Sequence, residues 1–215
     1  MAGVSDASES SAGSAPSDID LAAFVADRTA TVELEDGTHI VVRPATRADR
    51  DYLLEGLSQL SERSIYTRFL RPMRELSERE LEHLLSVDQH DHFAWAAFTE
   101  DGHPVGVARY IREAHRPSYA EAAVTVVDRF QRRGIGRVLV QLLAESALDN
   151  GVEHFTAYVG EDNEGLGAAL EAAGAKPVEV DEFATTYVID LPLPQSFEDS
   201  VLLAALKAAA HPPQS

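Results

Sequence analysis

Apolar residues recur along this chain in two rhythms, strict alternation and a three-to-four spacing, and their succession lays out the elements. Residues 1–17 are Ser, Ala, Gly and acidic residues with almost nothing to bury, so they read as a disordered tail, followed by a short helix within 19–27. Val32 and Leu34 alternate with polar neighbours, Glu35, Asp36, Gly37 and Thr38 turn the chain, and 40–42 returns: a hairpin over 31–42, stopped by Pro44. Thr46 is a hydroxyl cap for a helix with Tyr52, Leu53, Leu57 and Leu60 on one stripe. Ser77 and Glu80 form a capping box opening a second helix over 78–85. Three strands follow at 93–99, 105–112 and 120–127, the first two joined by a turn through Gly102, which implies antiparallel pairing. A helix over 138–148 ends at Gly151. A strand at 154–159, a helix at 163–173 ended by Gly174, and a last strand at 185–191 complete the series. The succession predicts an α/β (mixed α+β) domain, a mixed sheet with helices on both faces. Its organisation is a tail at 1–20, one domain at 21–192, and a helical tail at 193–215 with Phe197, Val201, Leu202 and Leu206 on one side.

The stretch with chemistry in it joins the 120–127 strand to the 138–148 helix. Gln131, Arg132, Arg133, Gly134, Ile135 and Gly136 read as strand, glycine turn, helix. Such a turn lets backbone approach a ligand closely, and the helix start offers unpaired N–H groups and the positive end of a dipole, which is an anion site and most naturally a phosphate site. The third glycine of a dinucleotide turn is missing, and no Gly-Lys-Ser/Thr follows, so neither NAD nor ATP is indicated.

Charge narrows the partners. With 36 acidic against 18 basic side chains the formal charge is -18, which argues against nucleic acid and anionic membranes and favours cationic partners. The 45% of hydrophobic residues suffices for a substantial core. Cysteine is absent, which removes disulfides and thiolate chemistry. The N-terminus lacks the basic start and apolar run of a signal peptide, and no apolar stretch approaches spanning length, so the cytoplasm is the expected compartment.

The hexapeptide at 131–136 matches the Q/R-x-x-G-x-G/A motif of the GCN5-related N-acetyltransferases, the GNAT superfamily, and the element order over 31–191 resembles theirs. Residues 64–69, 90–95 and 106–110 further resemble the acetyltransferase domain of actinobacterial Pat-type protein lysine acetyltransferases. The resemblance implies the GNAT fold, a mostly antiparallel central sheet, with acetyl-CoA as cosubstrate and no metal. Backbone N–H groups from Gln131 through Arg132, Arg133, Gly134, Ile135 and Gly136 would hold the pyrophosphate, with Arg132, Arg133 and Arg137 adding charge toward the 3'-phosphate. Val124, Thr125 and Val126 would pair with pantetheine where neighbouring strands splay, an N–H there serving the oxyanion. Asn163 would contact the cofactor arm. Glu121, set between Ala120 and Ala122 and so expected in apolar surroundings, would be the general base for a lysine ε-amine on a protein substrate. Where many of these enzymes carry a tyrosine acid, this chain has Leu170, and Tyr187 and Tyr119 are the alternatives. Pat-type proteins often carry a fused cyclic-nucleotide-binding or other regulatory domain, for which these residues leave no room, which puts small-molecule regulation in doubt.

Other features carry less. His90 and His92 would share one face of a strand, but no third ligand accompanies them, so no metal is expected. The arginines of 63–74 read as surface ion pairs. The C-terminal helix reads as packing, with a lid or a homodimer contact as alternatives. Three functions stand at this point: a protein lysine acetyltransferase, a small-amine acetyltransferase, and a non-catalytic acyl-CoA sensor.

Overall fold

A computed structural model describes all residues except 1–19, 70, 72, 74, 161–167, 169, 172, 173, 181–183 and 194–215. Asn163 and the tail helix expected at 196–209 therefore lie outside the described residues, as does most of the 163–173 helix, of which 168, 170 and 171 are helical.

Among the described residues eight strands form one sheet. They are β1 (Ala30–Glu33), β2 (His39–Pro44), β3 (His92–Thr99), β4 (Pro104–Glu113), β5 (Arg116–Val126), β6 (His154–Gly160), β7 (Lys176–Val180) and β8 (Ala184–Asp190). Their order is β1-β2-β3-β4-β5-β6-β8-β7, and every neighbouring pair is antiparallel except β5 with β6. The first hairpin turns at Gly37 with φ 76°, the β3–β4 hairpin at Gly102 with φ 89°, a backbone region that L side chains rarely adopt. The mixed, mostly antiparallel sheet is the one expected from the residue pattern. β7 is an addition to it.

The helices are α1 (Leu21–Asp27), α2 (Arg50–Ser58), α3 (Glu62–Phe69), α4 (Glu78–Leu85) and α5 (Ile135–Asp149). The expected capping box at Ser77 forms, with Glu80 accepting from Ser77 N–H at 2.8 Å, and Thr46, expected as a hydroxyl cap, heads a second box in which Asp49 accepts from Thr46 N–H at 2.7 Å. Three helices, not two, lie between β2 and β3, because 62–69 closes a helix of its own.

Alternation along the strands divides the core between the two faces. Val42, Phe93, Trp95, Tyr110, Ala122, Val124 and Val126 pack with Leu139, Val140 and Leu143 of α5. The opposite face carries Ala94, Ala96 and Phe98 under α2, α3 and α4. Two side chains fasten α5 to the sheet: Trp95 donates to Ser146 Oγ at 3.0 Å, and Asn150 donates to Tyr110 Oη at 2.7 Å. Among the described residues no helix is long and apolar enough to cross a membrane.

Candidate functional site

The parallel pair breaks early. β5 and β6 pair at Tyr119 with His154, Ala120 with Phe155 and Glu121 with Thr156, and then part, although β5 continues to Val126 and β6 to Gly160. Backbone parity identifies what lines the gap. Ser118 accepts from Glu153 N–H at 2.8 Å on the β6 side, whereas Val127 donates to the Val105 carbonyl at 3.0 Å on the β4 side. Alternation between those two points turns the backbone groups of Ala122, Val124 and Val126 toward the gap, and those of Thr125 toward β4. Of the three residues expected to run along a cofactor, Val124 and Val126 line the gap and Thr125 does not.

Below the gap the chain makes a 3-10 turn, Asp128–Phe130, and enters α5. Arg132 has φ 61° and Gly134 φ 84°, so the backbone coils into a concavity. The first helical bond runs from Val138 N–H to the Gly134 carbonyl at 3.1 Å, so Ile135, Gly136 and Arg137 present N–H groups with no intrahelical acceptor. The Ile135 side chain itself is buried in the core.

Gln131 takes a different part from the one expected. Its N–H donates to the Asp128 carbonyl at 3.2 Å, and its Nε2 donates to the Val126 carbonyl at 3.0 Å, Asp128 Oδ1 at 3.0 Å and Ser64 Oγ at 3.4 Å. It is a strut between strand and turn. Asp128 extends the strut to α3, accepting from Ser61 N–H at 3.0 Å and Ser64 Oγ at 2.7 Å. Arg133 reaches back to Asp36 in the first hairpin at 3.0 Å, Arg132 is exposed, and Arg137 is half-buried on the first turn of α5.

Glu121 occupies the last pair before the gap, across from Ile111 of β4 and Thr156 of β6. Ala120 and Ala122 point to the α5 face, so they do not form its surroundings. Instead its charge faces Arg68 of α3, a buried guanidinium. Burial, with the repulsion of Arg109, pushes Arg68 down to about 9, against the attraction of Glu121. Burial likewise brings Arg109 to about 10, so both are cations at neutral pH. Arg109 Nη1 donates to the Leu84 carbonyl at 2.6 Å and lies 3.3 Å from His92 Nε2. That contact requires an unprotonated Nε2, and burial first, then the charge of Arg109, brings His92 down to about 3. The arginines of 63–74 were expected in surface ion pairs. Arg71, which pairs with Glu80, follows that expectation, and Arg68 contradicts it. His90 precedes β3 and pairs with Asp91 at 2.8 Å while His92 is buried, so the two histidines share no face.

Two further residues belong in the description. Leu170 is fully buried, and Tyr187 lies on its side of the sheet, donating to Glu171 at 3.3 Å. Tyr119 stacks on His154 at 4.4 Å, two residues before Glu121 on the same face. Tyr158, which the residue pattern did not single out, stands on that face too, two positions past Thr156 where β6 has parted from β5. Its only sequence signal is the alternation of His154, Thr156 and Tyr158.

The comparisons agree with this geometry. The model of the Acetyltransferase (GNAT) family matches residues 57–174. Acetyltransferase Pat of Mycolicibacterium smegmatis is 35% identical over 174 residues, 80% of this chain and 51% of that protein. An acetyltransferase of Pseudomonas aeruginosa is 33% identical over 121 residues, 55% of this chain and 64% of that one. The chain thus spans between half and two thirds of the length of the curated relatives it matches. The crystal structure of the GNAT domain of S. lividans PAT superposes with a TM-score of 0.68 at 29% identity, covering 76% of this chain and 97% of that chain. A parted parallel strand pair above a glycine turn, found in a chain whose residues 57–174 match the family model, means that this protein belongs to the acetyltransferase (GNAT) family.

Proposed function

We propose that this protein transfers the acetyl group of acetyl-CoA to a primary amine, that the amine is a lysine ε-amine on a partner protein, and that Glu121 is the general base. The observation that carries the reading is the parting of β5 and β6 immediately after the Glu121–Thr156 pair. Acetyl-CoA supplies a thioester carbonyl for the amine to attack. The residues present fit such a cosubstrate: the N–H groups of Ile135, Gly136 and Arg137 form an anion cradle at the foot of the gap, and the backbone of Val124 and the N–H of Val126 offer an open strand edge along it, the Val126 carbonyl being taken by Gln131. On this reading the Val124 N–H would donate to the thioester oxygen as charge develops there.

Glu121 supplies what the amine lacks. A lysine ammonium has a reference pKa near 10.4, so roughly one amine in a few thousand is neutral at pH 7. A carboxylate beside the gap takes up that proton as the C–N bond forms, an assistance of about 10²–10⁴-fold. Leu170 has no proton to give the departing sulfur. Tyr158, by register on the Glu121 face of the parted strand, is the phenol we assign to that step.

The protein acceptor is supported by the likeness to Pat over 80% of the chain and by the chain's formal net charge of -18, which draws a cationic partner. Incubating the protein with isotopically labelled acetyl-CoA and a cell lysate, then locating the label by mass spectrometry, tests this. Label on lysine side chains of a limited set of proteins is the expected result. Label confined to small amines would replace the protein acceptor with a metabolite, and no label despite CoA binding would make the chain a sensor.

A further inference from the structure

On the Glu121 face, α2, α3 and α4 enclose a cavity of about 80 Å³ against β3, β4 and β5. Leu57, Phe69, Leu85 and Phe98 give it apolar walls, and Arg68 and Arg109 both border it. The two arginines are each about 5% exposed. Their counter-charges do not balance. Asp49, which also borders the cavity, is bound by Arg43 through both oxygens, at 2.9 and 2.6 Å. Glu121 faces Arg68. His83 and His92 are held neutral by burial. Arg109 has no carboxylate among the described residues, and its buried Nε has no hydrogen-bond partner. A buried cation with an unmet N–H in an apolar chamber is costly unless an anion completes it.

We propose that this cavity is an acyl pocket, and that besides acetyl-CoA the site takes a donor whose short acyl chain ends in a carboxylate, as in succinyl-CoA. This rests on the reading of the chain as an acyl-CoA-dependent transferase. Position supports it. Thr125, next to Val124 on the parted strand, borders the cavity, and Arg109 stands on the adjacent strand opposite Ala123, a side chain small enough to leave the way clear. Two methylenes and a carboxylate span about one strand spacing, roughly 5 Å. The volume equals roughly two to three waters, room for a carboxymethyl group beyond the acetyl carbons. The transfer balances as the acetyl reaction does: a C–N bond forms, the C–S bond breaks, the amine proton passes to Glu121, Tyr158 gives its proton to the departing thiolate and is reprotonated from solvent as Glu121 releases its own, and the distal carboxylate is unchanged.

Calorimetric titration of the full chain with CoA, acetyl-CoA and succinyl-CoA tests the proposal, with thiol release measured in parallel for both donors and a lysine peptide. Succinyl-CoA is expected to bind about tenfold more tightly than acetyl-CoA, as a charge-assisted hydrogen bond provides, and to be turned over. Arg109→Met is expected to bring the two affinities together. Equal affinities in the wild type, or a preference that survives Arg109→Met, overturns the proposal, and the wild-type ratio decides it alone if the variant does not fold. Free succinate that stabilises the protein to heat as strongly as succinyl-CoA also overturns it, since the ligand is then a free carboxylate. Failure of acetyl-CoA itself to bind counts instead against the underlying acyl-CoA reading.

Discussion

Glu121 and Arg68 lie far apart in sequence, and neither advertises the other. Glu121 was legible only through the resemblance, because an acidic residue at a strand start in a chain with 36 acidic residues is unremarkable by itself. Arg68, Arg109 and His92 were not legible as a cluster. In an acidic protein an arginine reads as solvated, and burial is decided by what α3 and α4 lay over the sheet. That burial has a measurable consequence. His92 is held neutral with its folded value at about 3, against an ordinary histidine near 6.5 in the unfolded chain. Between those values the unfolded chain binds a proton that the folded chain refuses, so this group's contribution is complete above about pH 6.5 and is lost as pH falls toward 3. The slope from one proton is up to about 1.4 kcal/mol per pH unit. Urea unfolding from pH 7 to pH 4.5 is expected to show a shallower loss of stability in His92→Gln than in the wild type. Parallel curves would mean that His92 is protonated in the folded protein.

Among the elements, those with punctuation were readable and those without it were not. The caps at Thr46 and Ser77 and the glycine turns at Gly37, Gly102 and Gly151 are local chemistry, and each appears where the residues place it. β7 went unread because all five of its residues are exposed, Val178 and Val180 included, so no alternation of burial marks it; it exists through pairing with β8. The glycine turn was read as an anion cradle, yet the part played by Gln131 was not, since a side chain that folds back onto Val126 and Asp128 is a tertiary fact. At Gly134 the constraint is conformational. A Cβ there meets nothing within 4 Å, so space is free, but φ is +84°. Gly134→Ala therefore costs about 1–2 kcal/mol if the turn keeps its shape, or moves the N–H groups if it does not. A several-fold weaker binding of acetyl-CoA, measured by titration, is the expected outcome, with the remaining fold intact by circular dichroism. Unaltered affinity would remove the turn from the cosubstrate site.

At the scale of the whole molecule, one sheet joins two unlike halves along a seam that is paired for three residues and then open. The β1 to β5 half is a continuous antiparallel ladder carrying α5 on one face and α2, α3 and α4 on the other. The β6, β8, β7 half hangs on it through the parallel pair, the Glu153–Ser118 backbone bond and the α5 core. Element order and the hexapeptide announced this architecture; the register that places Glu121 at the opening of the seam came only with the folded chain. The acidic surface adds a bias toward cationic partners without defining the site. What the seam is for is tested most directly by thiol release from acetyl-CoA with a lysine peptide, in wild type and Glu121→Gln, with acetyl-CoA affinity measured alongside. The account predicts turnover in the wild type and a fall in kcat of about 100-fold or more in the variant, its affinity for acetyl-CoA little changed; an equal kcat in the two proteins would contradict it.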